Sequence, residues 1–239
     1  MVFLWLNIIS GVIIAVIFFL IIIFDHKNAV LELKNIKLIV LAAFLIAISV
    51  FINTLTKIFL NPIIASKIFE IKLGNFALVL IGFFCGGILG LLSGIAADFL
   101  GLIIYSTGTP VLFFTLTSVI WCILPYYLVR FFSCFFYNKW LIYLYLPLTC
   151  AYTLLLITGT TPIVLKYMYD LKGWWVLYLP RIIKFPLEVA INSFLLIIVY
   201  RVFINSVRLN PKIYQITKNK KQKKLLKPHL VNGEGANDD

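Results

Sequence analysis

The chain has 239 residues, of which 62% are hydrophobic and only 13% charged, and its formal net charge is +12. A soluble domain of this size would lack the polar surface to cover itself, so the composition excludes a water-soluble globular protein. The apolar runs are long and continuous rather than short and alternating, which excludes a transmembrane barrel and predicts an all-α, polytopic membrane protein.

Residues 2–24 are apolar, with no basic residue before them and no clear small-residue cleavage site. They read as an uncleaved helix rather than a signal peptide. Residues 25–37 form a polar connector carrying Lys27, Lys34 and Lys37, and the second apolar run covers 38–59. A mixed segment, 60–73, holds Lys67, Glu70 and Lys72. The next apolar stretch, 74–106, is too long for one crossing: at ~1.5 Å per residue it would reach about 50 Å, against roughly 30 Å of hydrocarbon. The Gly86-Gly87 pair is the expected break, giving two short, closely packed helices. Further spans are expected over 111–132 and 139–159, then a loop over 160–178, then a last span over 179–205. That makes six spans plus an extra N-terminal helix.

Orientation follows the basic residues near helix ends. The tail carries Arg208, Lys212, Lys218, Lys220, Lys221, Lys223, Lys224 and Lys227, which predicts a cytoplasmic C-terminus. Counting back, 133–139 and 25–37 also face the cytoplasm, while 60–73, 107–110 and 160–178 face outward. The short, membrane-tethered tail suits anionic lipid or a topology signal, not nucleic acid.

The cysteines, Cys85, Cys122, Cys134 and Cys150, form no CxxC pair and lie in apolar runs, where a packed hydrophobe is the expected role. His26 and His229 lie in polar segments with no ligating neighbours. No phosphate-binding loop, nucleophile elbow or zinc-protease motif is present. No metal or cofactor is expected, and the chain is not expected to be an enzyme.

Residues 82–116 carry the most information. Gly82, Gly86, Gly90 and Gly94 recur every four residues, a spacing that lets helix backbones approach closely in lipid. Asp98 follows inside the apolar run, where an ionisable group is costly and marks a site by default. The turn-forming Ser106-Thr107-Gly108-Thr109-Pro110 then breaks the run, as at sites where a membrane protein meets a soluble ligand.

The patterns KNIKLIVLAAFLIAISV, FEIKLGNFALVLIGFFCGG and GLLSGIAADFLGLII, followed by STG and FFTL, resemble the substrate-binding S component of energy-coupling-factor vitamin transporters. The segment LPRIIKFPLEVAINSFLLIIVYRVF is similar to the last helix of the folate-type members, as are Thr107-Gly108 and Arg181 to Pro186. The resemblance covers residues 34–206. It implies an extra helix and connector at 1–33, a six-helix S-component domain at 34–206, and a basic cytoplasmic tail, expected to be disordered, at 207–239. It also implies a bacterial plasma-membrane subunit that captures a vitamin outside the cell, most nearly folate. Such a subunit works with a transmembrane coupling subunit and two ATPase subunits. Two stretches depart from the family pattern: Leu112-Phe113 stands where Pro-Gly is usual, and Phe69 to Gly74 reads FEIKLG.

The resemblance makes Ala43 and Ala47 the docking face for the coupling subunit; from the residues alone, internal helix packing is the alternative. Asp98 is either a structural acid, hydrogen-bonded or paired with a base such as Lys184, or an acceptor for adjacent N–H donors of a pterin ring. Arg181, Lys184 and Glu188 share one helical face. They either snorkel and pair with one another or hold the carboxylates of a folate tail, with Pro180 and Pro186 opening the turn. Phe113, Phe114, Trp174 and Trp175 are either interfacial anchors or stacking surfaces for a flat ring. Thr107, Gly108 and Thr115 complete the implied ligand contacts. The rival readings are an S component for thiamine, riboflavin or pantothenate, a membrane enzyme acting on lipid, and an assembly factor without a small ligand.

Overall fold

The computed structural model describes residues 2–59, 72–104, 111–135, 142–169 and 173–207. Among these it has seven helices and no strand: α1 Val2–Lys34, α2 Ile36–Phe59, α3 Asn75–Cys85, α4 Gly87–Ile104, α5 Leu112–Phe135, α6 Ile142–Tyr169 and α7 Trp174–Val207. Five of them are long and apolar enough to cross a membrane, which makes this an all-α polytopic membrane protein.

The centre of the bundle is α3. All eleven of its residues are buried, as expected of a helix that is apolar all round. It packs on α2, α5 and α7, and α4 returns beside it along α5. At about 16 Å, α3 is only half the hydrocarbon thickness. The break falls at Gly86, whose φ of +100° is open to glycine and strained for other residues.

The glycine ladder seats this hairpin on its neighbours. A Cβ at Gly82 would overlap the Cys122 carbonyl, and one at Gly94 would collide with the Val119 backbone. Both contacts bring α3 and α4 onto α5, so the ladder is an internal packing surface. Cys85, Cys122 and Cys150 are buried and form no disulfide among the described residues.

The C-terminal part of the N-terminal helix is anchored to this core. Its side chain Glu32, only 1% exposed, accepts a hydrogen bond from the Ile88 N–H (3.1 Å) in the first turn of α4. An isolated carboxylate in this setting would be costly; here it satisfies a helix-end donor and meets the positive end of the helix dipole. One helical stretch earlier, buried Asp25 pairs with Arg130 of α5 (3.0 Å) and accepts from the Tyr126 hydroxyl (2.9 Å). Asn28 also donates to Asp25. Asp25 itself has non-helical backbone angles (φ −130°, ψ 23°), a kink between two helical stretches.

Two expectations need correction. The connector over 25–37 is helical to Lys34, because its polar side chains find buried partners on α4 and α5 instead of water. Asn35 is the hinge, and its side chain accepts from the Lys37 N–H at the start of α2. The loop expected over 160–178 is helical over 160–169 and 174–178, because α6 runs on to Tyr169 and α7 begins at Trp174; residues 170–172 lie outside the described residues. Thr160 and Thr161 bond back to the Leu156 and Ile157 carbonyls, so these polar residues stay within the helix. Pro180 and Pro186 likewise lie inside α7 without ending it. The basic tail lies outside the described residues.

Candidate ligand site

One end of the bundle gathers the C-terminal halves of α2, α4 and α6 and the N-terminal halves of α3, α5 and α7. The chain entering α3 is strapped down there. Gly74 lies so close to α2 that a Cβ would strike the Ser49 carbonyl, and its N–H donates to the Asn53 side chain (2.8 Å). The Lys72 N–H donates to Glu188 of α7 (3.1 Å), while Asn192 donates to the Lys72 carbonyl (3.4 Å). This double bracket fixes the Lys72 backbone and directs its ammonium over the Phe114 ring, 5.8 Å from the centroid.

Two cavities open on either side of this strap. The first, ≈ 100 Å³, is lined by Ser49, Asn53, Thr54 and Lys57 of α2 and by Asp98 and Gly101 of α4. The second, ≈ 170 Å³, is lined by Phe114, Thr117 and Trp121 of α5, Thr158 and Thr161 of α6, and Arg181, Lys184 and Glu188 of α7. Lys72, Asn75 and Ser118 border both. The two are therefore lobes divided by a shared wall. Each is smaller than the ~300 Å³ at the low end of ordinary ligand pockets.

The charge is unevenly spread. Lys72, Arg181 and Lys184 line the second lobe with a single carboxylate, Glu188. Lys184 pairs with Glu188 at 3.4 Å across one helical turn. Buried Glu188 thus does two structural jobs, holding Lys184 and the Lys72 backbone. In the first lobe Asp98 accepts from the Thr115 hydroxyl at 2.6 Å. A carboxylate has about four acceptor positions, so this bond leaves capacity for further donors.

The residues singled out in the sequence divide in three. Asp98, Phe114, Arg181, Lys184 and Glu188 line the two lobes. Phe113, Thr115 and Trp174 do not: Phe113 packs with Val111 and Val164, Thr115 turns to Asp98, and Trp174 lies under the Lys166 ammonium at 3.7 Å. Thr107 and Gly108 lie outside the described residues. Asp98 has Thr115 as its hydrogen-bond partner and sits in the other lobe from Lys184.

No family model, curated protein or solved structure matches this chain. Sequence reasoning passed over Lys72, Asn75, Ser49, Asn53, Ser118 and the threonines of α5 and α6 as ligand contacts. The signal available was polarity at wall positions: these residues interrupt otherwise apolar helices on faces that meet only in the folded bundle. Among the described residues no group of His, Cys, Asp and Glu side chains is placed to hold a metal.

On α2, Ala43 and Ala47 are exposed, in an outward stripe with Val40, Phe44 and Phe51. The opposite face, with Leu41, Leu45, Ser49 and Val50, is buried in the bundle. The two alanines are therefore not used in internal packing.

Proposed function

We propose that this chain is the vitamin-capturing S component of an energy-coupling-factor importer, and that its ligand is folate or a close relative. The observation that carries the proposal is the two-lobed site, with Arg181, Lys184 and Glu188 on one side of the Lys72 strap and Asp98 with Lys57 on the other. A folate is a long ligand with opposite demands at its ends. Its aminopterin ring presents adjacent N–H donors that suit Asp98, and its glutamate carboxylates suit Arg181, Lys184 and Lys72. Phe114 supplies a flat apolar surface in the second lobe. Both lobes are too small for such a ligand as they stand, so capture requires the shared wall of Lys72, Asn75 and Ser118 to give way and join them.

The exposed small-residue stripe at Ala43 and Ala47 fits close approach of a partner helix, as docking on a coupling subunit requires. The two ATPases of the importer supply the energy, and this chain supplies selectivity. The proposal puts the ligand site toward the outside and the basic tail in the cytoplasm.

Identification of the small molecule that survives mild detergent purification tests this reading. Mass spectrometry is expected to find a reduced or oxidised folate in stoichiometric amount. Stoichiometric thiamine, riboflavin or pantothenate in its place would overturn the ligand assignment.

A further inference from the structure

Between Val2 and Phe24 the chain has one amide and one hydroxyl side chain, Asn7 and Ser10. Both lie in the most hydropathic span of the protein, Leu4–His26. An amide in such a span is costly unless it is hydrogen-bonded. Asn7 has such a bond. Its side-chain oxygen accepts from the N–H of Leu112, the first residue of α5, at 2.8 Å.

That N–H belongs to the helix start, where donors have no partner inside the helix. A side-chain oxygen on the residue before the helix commonly serves them. Here that residue is Val111, which has no such oxygen; its carbonyl accepts from the Phe114 N–H (3.0 Å). Asn7 supplies the missing acceptor from 105 residues away. Its neighbours follow the same course. Leu6 packs on the cluster of Val111, Phe113 and Val164, and one turn past Asn7 a Cβ at Gly11 would meet the Leu112 side chain at 3.6 Å.

The stretch of α5 that Asn7 caps is a wall of the ligand site. Phe114 and Thr117 line the second lobe, Thr115 donates to Asp98 of the first, and Ser118 borders both. From Asn7 to Asp25, α1 covers about 27 Å of helix, so it joins this wall to the Asp25 and Glu32 contacts at the opposite end.

We infer that Asn7 is a positioning residue for the ligand site: it fixes the start of α5, and through it the wall shared by the two lobes, while lining neither lobe itself. The extra N-terminal helix is then part of the binding unit. The choice of folate as probe rests on the vitamin reading; the placement of the wall does not. A cap of typical strength favours the ordered first turn by about five-fold. A ligand that needs that turn ordered loses affinity when the cap is removed.

The full chain in detergent is compared with Asn7→Leu, Asn7→Asp and Glu32→Ala by amide hydrogen exchange without ligand, by titration with folate and pteroate, and by thermal unfolding. Asn7→Leu keeps the size but removes the acceptor. It is expected to speed exchange at the start of α5 and to weaken folate and pteroate alike, each by about five-fold, because the wall changes and the tail contacts do not. Asn7→Asp keeps an acceptor oxygen and should restore both. Glu32→Ala removes a helix-end acceptor at the other end and should lower stability alone. Unchanged exchange in Asn7→Leu would overturn the inference. Faster exchange with unchanged affinity would overturn it too, as would an equal affinity loss in Glu32→Ala, which would make the effect one of general stability. If wild type binds no folate, the vitamin reading fails by itself. Exchange and the emission of Trp121 in the second lobe, both without ligand, then decide: each must change in Asn7→Leu and return in Asn7→Asp, or the inference falls.

Discussion

At the scale of residues, the three carboxylates buried among the described residues, Asp25, Glu32 and Glu188, each hold a partner on another element. Glu188 positions Lys184 and the Lys72 backbone, and Asp98 holds Thr115. If Arg181 and Lys184 hold a carboxylate tail, each charge-assisted hydrogen bond is worth roughly 1.5–3 kcal/mol. Arg181→Ala and Lys184→Ala should then each weaken folate binding by about one to two powers of ten, and weaken pteroate, which lacks the glutamate, much less. Equal losses for both ligands in equilibrium titrations would assign the two residues to the ring or to the fold. The glycines allow a sharper comparison. Gly82→Ala and Gly94→Ala drive a methyl into the backbone of α5, whereas Gly101 has nothing within 4 Å of its would-be Cβ. Overpacking of this kind costs typically 1–3 kcal/mol. Thermal unfolding in detergent should show clear losses for the first two and none for Gly101→Ala, although all three add the same methyl group.

At the scale of elements, α1 behaves as a strut. Its Glu32 serves as the acceptor for the first turn of α4, at the point where glycine interrupts the α3–α4 hairpin. Glu32→Ala should lower stability by about 1–2 kcal/mol, the range for a lost helix cap, and leave the two lobes at the far end intact. Melting temperature together with ligand affinity would check this, and a variant with lost affinity but normal stability would contradict the strut. On α2, Ala43→Leu with Ala47→Leu should block uptake by the assembled transporter and leave ligand binding by the isolated chain unchanged; normal transport in that variant would remove this face from consideration as the docking surface. The break at Gly86 was legible because two adjacent glycines fall in a stretch that would reach about 50 Å as one helix, against roughly 30 Å of hydrocarbon. The helical course of 25–34 was not, because Glu32 and Asp25 are stabilised by partners on α4 and α5, 56 and 101 residues away in sequence. The helical course of 160–169 was also hidden. Gly159-Thr160-Thr161-Pro162 has loop composition, and only hydroxyl bonds back to the preceding turn show how it stays helical. For the site, the shared face of Arg181, Lys184 and Glu188 followed from helical spacing. The Lys72 strap that divides the lobes depends on contacts between α2, α3 and α7, which no single segment reveals.

At the scale of the whole molecule, the chemistry is polarised. One end of the bundle holds the two lobes and their cations, while the other holds the Asp25–Arg130 and Glu32 contacts that lock α1 to the hairpin. Between them lies the fully buried α3. The capture role proposed for this chain would need this division, with walls that can part around a ligand above a base that stays assembled. The central claim is selective vitamin binding by the chain alone. Trp121, 3% exposed, lines the second lobe and is a built-in reporter. The most direct measurement is therefore intrinsic tryptophan fluorescence of the purified protein, titrated separately with folate, thiamine, riboflavin and pantothenate. The account predicts a saturable change with folate and none with the other three. A saturable response to one of those three, with folate silent, would contradict it.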